Sequence, residues 1–202
     1  MKVRACGDRA VLAEVDDIGA VLGLYAALRQ SRPDGIVDLV PAARTLLVRF
    51  EPRVISAQEV TVLLEHTAPA PVTASQADTV TIPVRYDGED LAEVAERTGL
   101  DVPGVIDLHS AADYVVAFGG FAPGFGYLTG LDPKLHLPRR AVPRTRVPIG
   151  SVAIAGEYAG VYPRSSPGGW HLLGRTEIPL WDTGRTPPAL LAPGTRVRFE
   201  AT

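Results

Sequence analysis

The stretch from Gly119 to Thr176 constrains the fold of this chain more than any other. It holds 11 of the 20 glycines and 7 of the 18 prolines, and prolines recur at every fifth position, at 133, 138, 143 and 148. A proline ring removes a backbone donor and clashes with the preceding helical turn. We therefore expect no regular α-helix in this stretch, and expect turns and short strands in its place.

The same stretch is basic although the chain is acidic. It carries seven Lys or Arg residues against two Asp or Glu, a net charge of +5, whereas the whole chain carries −3 and the remainder therefore −8. A basic surface of this limited size suits a small anion or an acidic partner, and it argues against general binding of nucleic acid. The four histidines lie far apart in the sequence and there is one cysteine, so we expect no metal site.

The first part of the chain has the pattern of a small α+β domain. Strands, helices capped at Asp16-Asp17 and at Ser56, and further strands follow in the order β-α-β-β-α, which predicts a ferredoxin-like unit. A strand over Thr79–Arg85 either completes that unit or begins the next domain. The segment 67–78 is small, polar and proline-containing, which is typical of a linker. We therefore predict two domains, 1–78 and 79–202.

The second domain is predicted to be mainly β. Two short helices, over 89–97 and 101–109, precede an apolar strand at 114–118. Short strands then alternate with glycine and proline turns, a pattern that favours a closed barrel or a sandwich. These strands are expected at 152–155, 160–162, 170–173, 177–181 and 196–199.

Cys6 is the only cysteine, so no disulfide can form within the chain, as is usual in a reducing compartment. Because it falls in a predicted strand, it is expected to be a small buried residue. The N-terminal residues are charged where a signal peptide would be apolar. No apolar run reaches the roughly 20 residues that span a bilayer. We therefore expect a cytoplasmic protein without a membrane segment.

Arginines in the basic stretch are the first candidates for a functional site. Arg144 and Arg146 are two residues apart and Arg140 has the same parity, so in an extended segment all three share a face. Guanidinium groups bind carboxylate or phosphate in a bidentate manner, which would suit a carboxylated or phosphorylated substrate. The alternative is that these arginines are solvated, or pair with the acidic remainder of the chain.

Two further features are candidates for the same site. The Gly168-Gly169-Trp170 turn could bring backbone amides and an aromatic wall to a ligand, or it could be a hairpin turn with a core tryptophan. His109, at the end of a predicted helix, could transfer a proton or be a buried structural histidine. The chain has no P-loop, no G-x-G-x-x-G and no G-x-S-x-G motif.

Several motifs together resemble those of one known family. They are Gly120-Phe121-Ala122-Pro123-Gly124-Phe125, Leu131-Asp132-Pro133, Pro138-Arg139-Arg140, Pro143-Arg144, the run from Gly150 to Gly156, Tyr162-Pro163, Ser166-Pro167-Gly168-Gly169-Trp170 and Gly174-Arg175-Thr176. The chain is similar in these segments to the 5-oxoprolinase B-subunit family. That family is also called KipI or allophanate hydrolase subunit 1, and it corresponds to subdomains C and D of a carboxyltransferase domain.

The resemblance implies a fold and an activity. It implies a small α+β domain followed by a cyclophilin-like β-barrel. It also implies one component of an ATP-dependent amidohydrolase complex that opens 5-oxoproline to glutamate, with ATP used at the level of the complex. The alternatives are an inhibitor that binds a histidine kinase and a carboxyltransferase or allophanate hydrolase component of urea degradation.

The resemblance also implies two protein partners. The first, which we call the subunit-2-like partner, is the C component of 5-oxoprolinase, similar to allophanate hydrolase subunit 2, and would form a heterodimer or heterotetramer with this chain. The second, which we call the lactam-utilisation partner, is the A component of the same enzyme.

The resemblance completes the set of predicted site residues. His109 is the candidate for proton transfer. The candidates for contact with a lactam or amide substrate are Arg139, Arg144, Arg146, Ser151, Tyr162, Gly168, Gly169 and Trp170.

Overall fold

The computed structural model describes residues 1–70 and 79–202. The chain divides into two compact units, Met1–Thr73 and Ala74–Thr202. The predicted linker lies largely outside the described residues, and the predicted boundary after residue 78 stays a prediction.

The first unit is an antiparallel sheet with two helices. Its elements are β1 (Lys2–Ala5), β2 (Ala10–Glu14), α1 (Ile18–Gln30), β3 (Ile36–Pro41), β4 (Thr45–Phe50) and α2 (Ala57–His66). The strand order is β1-β2-β4-β3, and apolar side chains of both helices and of the three strands β2, β3 and β4 form one core. The observed order, β-β-α-β-β-α, contains the predicted β-α-β-β-α order with one further strand, β1, before it, while the ferredoxin-like description stays a prediction.

Local sequence signals explain where the two helices begin. Asp17 caps α1 by accepting a hydrogen bond from the Ala20 amide at 2.8 Å. Ser56 and Glu59 form a capping box at the start of α2, in which each side chain bonds the other residue's backbone N–H. These bonds satisfy backbone donors that have no partner within the helix.

Cys6 does not have the buried position that was predicted. The residue follows β1, the edge strand of the first sheet, and it is exposed. The prediction was wrong because the apolar content of the segment could not reveal that its strand lies at the edge.

The second unit contains the remaining strands and helices. These are β5 (Val80–Val84), α3 (Leu91–Thr98), α4 (Val102–Ala111), β6 (Tyr114–Gly119), β7 (Gly126–Thr129), a 3-10 turn (Pro133–Leu135), β8 (Arg144–Val147), β9 (Ser151–Ala155), β10 (Tyr158–Val161), β11 (Ser166–Gly168), β12 (His171–Arg175) and β13 (Arg196–Ala201). As predicted, the basic stretch from Gly119 to Thr176 contains no α-helix. The strand predicted at Thr79–Arg85 belongs to this unit.

Seven of these strands form a nearly closed barrel. Their order is β12-β9-β10-β7-β6-β13-β5, and a bridge between Arg85 and Arg175 joins the two outer strands through two backbone hydrogen bonds of 2.9 Å. Strands β8 and β11 form a separate two-stranded sheet. The main core of the unit combines barrel residues with the apolar faces of α3 and α4.

One predicted strand is wrong. Residues 177–181 are irregular, and only Trp181 forms an isolated bridge, to Ala189. Pro179 lies in the middle of this run and cannot donate to a ladder. In the described part of the chain, no helix is long and apolar enough to cross a membrane.

Candidate functional site

The two-stranded sheet carries several of the residues that the sequence singled out. Val147 pairs with Ser166 and Arg144 with Gly168, with a register shift between these pairs. Gly169 and Trp170 follow directly, and the Gly169 carbonyl accepts a hydrogen bond from the Arg140 amide at 2.8 Å. The arginine segment and the glycine turn, far apart in the sequence, are therefore neighbours in the fold.

A second core, which we call the aromatic cluster, lies beneath this small sheet. It contains Phe125, Val147, Ala153, Ala155, Tyr162, Trp170 and Leu172. The neighbouring residues Val152, Ile154 and Leu173 belong instead to the main core. Since side chains alternate between the faces of a strand, the aromatic cluster covers the opposite face of the barrel wall from the main core.

Trp170 and Tyr162 are buried within the aromatic cluster. The Trp170 ring meets Phe125 edge-on, with centroids 5.4 Å apart, and 4% of the residue is exposed. Burial raises the pKa of the Tyr162 hydroxyl, while the Trp170 backbone N–H, which donates to it, and the charges of Arg139 and Arg144 act in the opposite direction. A Cβ at Gly168 would collide with this hydroxyl, so only glycine fits there.

Arg144 is held by carboxylates of the chain itself. Its guanidinium donates to both oxygens of Asp90, at 2.7 and 2.9 Å, and to Glu89 at 3.2 Å. Arg140 donates to the same Asp90 at 2.6 Å and to Glu93 at 2.9 Å. Arg140 and Arg144 therefore both bind Asp90. This is the alternative given for these arginines above, that they pair with acidic residues elsewhere in the chain.

Asp90 is the buried centre of this ion-pair group. Its side chain is 3% exposed, and it also accepts a hydrogen bond from the Leu172 amide at 2.7 Å. Burial alone would raise the pKa of Asp90, but the hydrogen bonds from Arg144 and Leu172, together with the charges of Arg144 and Arg140, hold it below its ordinary value. Asp90 thereby ties the segment that precedes β8 to the start of α3 and to β12.

Three other arginines of the stretch remain open to solvent. Arg139, Arg146 and Arg164 are exposed, and in the described ranges none of them forms an ion pair with a carboxylate. The Arg146 Nε donates to the Ser165 hydroxyl at 3.1 Å. The charge of Arg139 acts on the pKa of the Tyr162 hydroxyl, so we take this exposed arginine as a candidate cation for the region of the aromatic cluster.

Ser151 has a structural partner. Its hydroxyl donates to the Pro148 carbonyl at 2.9 Å, and 5% of the residue is exposed. Its carbonyl accepts from the Tyr162 amide at 3.0 Å. A substrate contact by Ser151 stays a prediction, and these bonds give the residue a role in shaping the turn before β9.

His109 lies inside the main core of the second unit. It is fully buried, its Nδ1 is 2.7 Å from the Tyr86 hydroxyl, and its ring packs on Phe199 with centroids 4.5 Å apart. Burial lowers its pKa from 6.5 to about 3. The proton-transfer role stays a prediction that this position does not favour, because a substrate at the surface could not reach the ring.

A cavity of about 480 Å³ opens beside the aromatic cluster. The sequence did not reveal it, because part of its wall was predicted as a strand. Pro179, within that run, was the sequence feature that could have indicated an irregular segment. The cavity is lined by Ile149, Gly150, Tyr162, Pro163, Arg175, Thr176, Glu177, Ile178, Pro179, Leu180 and Trp181.

Gly150 forms a tight part of the cavity wall. It has a positive φ of 77°, and a Cβ there would collide with the Thr176 carbonyl oxygen. Its amide donates to the Tyr162 carbonyl and its own carbonyl accepts from the Thr176 amide, at 2.8 and 2.9 Å. Within the described residues, no group of His, Cys, Asp and Glu could hold a metal ion.

Comparison with known proteins bears on the family. Residues 1–191 match the family described as carboxyltransferase domain, subdomain C and D. The chain is 41% identical over 187 residues to the B subunit of 5-oxoprolinase from Haemophilus influenzae, which covers 88% of the chain and 84% of that protein. It is 53% identical over 123 residues to the same subunit from Escherichia coli O157:H7, over 59% of the chain and 56% of that protein. The match thus spans about half the length of the E. coli relative.

Solved structures give the same result for the fold. The crystal structure of TTHA0988 superposes with a TM-score of 0.80 at 41% identity, over 96% of this chain and 40% of that one. The urea amidolyase of Kluyveromyces lactis superposes with a TM-score of 0.73 at 22% identity, over 99% of this chain and 15% of that one. At that identity the second likeness concerns the fold alone.

Proposed function

Because the chain belongs to the carboxyltransferase domain family, subdomains C and D, we propose that it is one component of a 5-oxoprolinase. The complex would open 5-oxoproline to glutamate with hydrolysis of ATP, and the chain would act together with the subunit-2-like partner and the lactam-utilisation partner. The observation that carries this proposal is the 41% identity to the H. influenzae relative over 84% of that protein.

The aromatic cluster and its surroundings suit a small anionic substrate. A substrate with a carboxylate and a lactam carbonyl needs a cationic partner and hydrogen-bond donors, and its phosphorylated form needs more of both. Arg139 is exposed and its charge acts on the pKa of the Tyr162 hydroxyl, so we assign the anion to Arg139. Arg144 is a weaker candidate because it already donates to Asp90 and Glu89.

ATP is expected to act in the whole complex. The sequence has no P-loop, so the nucleotide would lie at an atypical site or on a partner. The histidines next to this region, 109 and 171, are fully buried. In the proposal, a partner protein therefore supplies the groups that move protons.

Reconstitution tests the proposal. The chain is combined with both purified partners, and glutamate formed from 5-oxoproline is measured with and without ATP. We expect ATP-dependent glutamate formation that disappears when this chain is omitted. We expect Arg139→Ala to lower kcat/KM at least about tenfold, the scale of a lost charged contact, while Arg53→Ala, an exposed arginine of the first unit, has no effect.

A second candidate is a carboxyltransferase component of urea degradation. The 26% identity to the urea amidolyase of Saccharomyces cerevisiae, over 97% of this chain and 13% of that protein, favours it. Transfer from carboxybiotin to urea by the complex, without turnover of 5-oxoproline, would select this alternative. Inhibition of histidine-kinase autophosphorylation by the chain alone would select the third, a kinase inhibitor.

A further inference from the structure

The tip of the β6–β7 hairpin contains a strained residue. Gly119 pairs with Gly126 at the end of the two strands, and the Ala122 amide donates to the Gly120 carbonyl at 2.6 Å. This bond closes a γ-turn centred on Phe121, whose φ is 65°. A bulky side chain rarely adopts this backbone region, and a γ-turn of this hand is strained.

Phe121 is also unusually exposed for an aromatic residue. Its ring touches Phe125 and Tyr162 edge-on, with centroids 5.3 and 6.0 Å away, yet 57% of the residue is accessible to solvent. Backbone strain and an exposed ring both cost free energy, and few contacts within this chain offset them. Such strain persists at functional positions, where it presents a side chain to a ligand or partner.

Two other large apolar residues are exposed next to the same tyrosine. Ile149 is 68% and Trp181 is 41% exposed, and both line the 480 Å³ cavity together with Tyr162. Trp181 also lies against Gly124, in the same hairpin tip as Phe121. We call Phe121, Ile149 and Trp181 the apolar surface. Two of its members, Ile149 and Trp181, line the cavity, which is large enough to receive an anchor side chain.

Charged residues are unevenly distributed around the apolar surface. Tyr162 connects it to Arg139 and, two residues further along the chain, to Arg164. Arg146, which binds Ser165, completes an exposed basic margin. The neighbours of Trp181 include the carboxylates of Glu177, in the cavity wall, and of Asp182, the next residue in the chain. An occupant would thus place its acidic groups over the arginines.

The apolar residues decide what kind of occupant fits. A small molecule within the cavity would leave Phe121 in water, since Phe121 is not among the cavity's lining residues. A protein surface can cover Phe121, Ile149 and Trp181 at once and insert a side chain into the depression. Interfaces of this kind have an apolar centre and a charged margin.

We propose that the apolar surface and its basic margin form a docking site for a partner protein that presents an apolar anchor flanked by carboxylates. Under the proposed function, on which the partner's identity rests, this protein is the subunit-2-like partner. Phe121 and Trp181 are the central anchors, and Arg146 and Arg164 determine the orientation of the complex.

Binding of the full chain to the purified subunit-2-like partner, measured by calorimetry, tests the proposal. We expect Phe121→Ala and Trp181→Ala each to weaken binding by at least about tenfold, as central interface residues do. Arg146→Glu should weaken binding and reduce its dependence on salt. Val54→Ala is the matched control, because Val54 is 60% exposed in the first unit, and its affinity should stay within about twofold.

A fourth variant separates docking from folding. Phe121→Gly removes the ring and relieves the positive φ, so it should lose as much affinity as Phe121→Ala while melting at a higher temperature than that variant. If the wild type binds the subunit-2-like partner and the Phe121 and Trp181 variants bind as tightly, the docking site is wrong although the proposed function stands.

The remaining outcomes are also distinct. If the wild type does not bind the subunit-2-like partner, whether or not the lactam-utilisation partner is present, both the docking site and the proposed function are wrong. If the wild type binds and the variants do not, but the reconstituted complex leaves 5-oxoproline unchanged, the docking site is supported and the activity is wrong.

Discussion

Lowering the pH should destabilise the second unit through His109. The ring is fully buried on Phe199, its Nδ1 is bonded to the Tyr86 hydroxyl, and its Nε2 has no partner among the described residues. Burial lowers the pKa of His109 from 6.5 to about 3, because the charged ring would lose its hydration in the core. The folded protein therefore keeps the ring neutral at pH values where the unfolded chain binds a proton.

The sign and size of the effect follow from proton linkage. The folded pKa lies below the unfolded one, so the stabilising contribution is complete above about pH 6.5 and is lost as the pH falls towards about 3. Between pH 8 and pH 5 the loss from this one group is about 2 kcal/mol. Between the unfolded and the folded pKa, each further unit by which the pH falls lowers the free energy of unfolding by about 1.4 kcal/mol.

Urea unfolding at several pH values measures this loss. Trp170 and Trp181 are the only tryptophans and both lie in the second unit, so tryptophan fluorescence reports on that unit. The free energy of unfolding is compared between the wild type and His109→Phe, which cannot titrate. Carboxylates that titrate in both proteins cancel in the difference.

We expect the stability difference between the two proteins to change by about 2 kcal/mol from pH 8 to pH 5, in favour of the variant at low pH. Tyr86→Phe is the control, because it keeps the buried histidine and should retain the wild-type pH dependence. Parallel curves for the wild type and His109→Phe would refute the reasoning and would mean that His109 is protonated with little cost in the folded state.

Three further predictions concern the surroundings of the site, each measured by urea unfolding followed by tryptophan fluorescence. Asp90→Ala should lower the free energy of unfolding by about 3 kcal/mol, since it leaves two arginines and an amide without their buried acceptor. The control is Glu89→Ala, whose side chain is 72% exposed and which should lower it by less than about 0.5 kcal/mol. Equal losses in the two variants would contradict the central role of Asp90. Gly150→Ala should lower the free energy of unfolding by at least about 3 kcal/mol, because its Cβ meets a carbonyl oxygen at positive φ. The control is Gly119→Ala, whose Cβ is unhindered and which should lower it by no more than about 1 kcal/mol. A Gly150→Ala variant as stable as the wild type would mean that the cavity wall is pliable. Phe121→Gly should be more stable than Phe121→Ala by about 1 kcal/mol, and the reverse order would show that φ is negative there.

Several features of the fold could be predicted because their causes are local. The helix starts at Asp17 and at Ser56 depend on side chains that bond amides within three residues. The absence of an α-helix from the basic stretch depends on the covalent structure of proline. The resemblance to the carboxyltransferase domain family, which the match over residues 1–191 confirms, likewise depends on short motifs that can be read one at a time.

The candidate site was predicted only in part. The resemblance grouped Tyr162 with Gly168 and Trp170, and the structure places all three at the aromatic cluster. Sequence patterns could not distinguish Arg139, which is exposed, from Arg144, which donates to a carboxylate 54 positions earlier in the chain. The acceptor, Asp90, has no local feature that marks it as buried.

The sequence by itself therefore determined the helix starts at Asp17 and Ser56, the family and the chemical types of the residues in the basic stretch. Only the tertiary structure decided which arginines are neutralised, that His109 lies in the core, and that Phe121 is strained and exposed at a hairpin tip. The reason is physical. Capping and proline effects act within one turn of chain, whereas burial and ion pairing depend on distant segments that meet only when the barrel nearly closes.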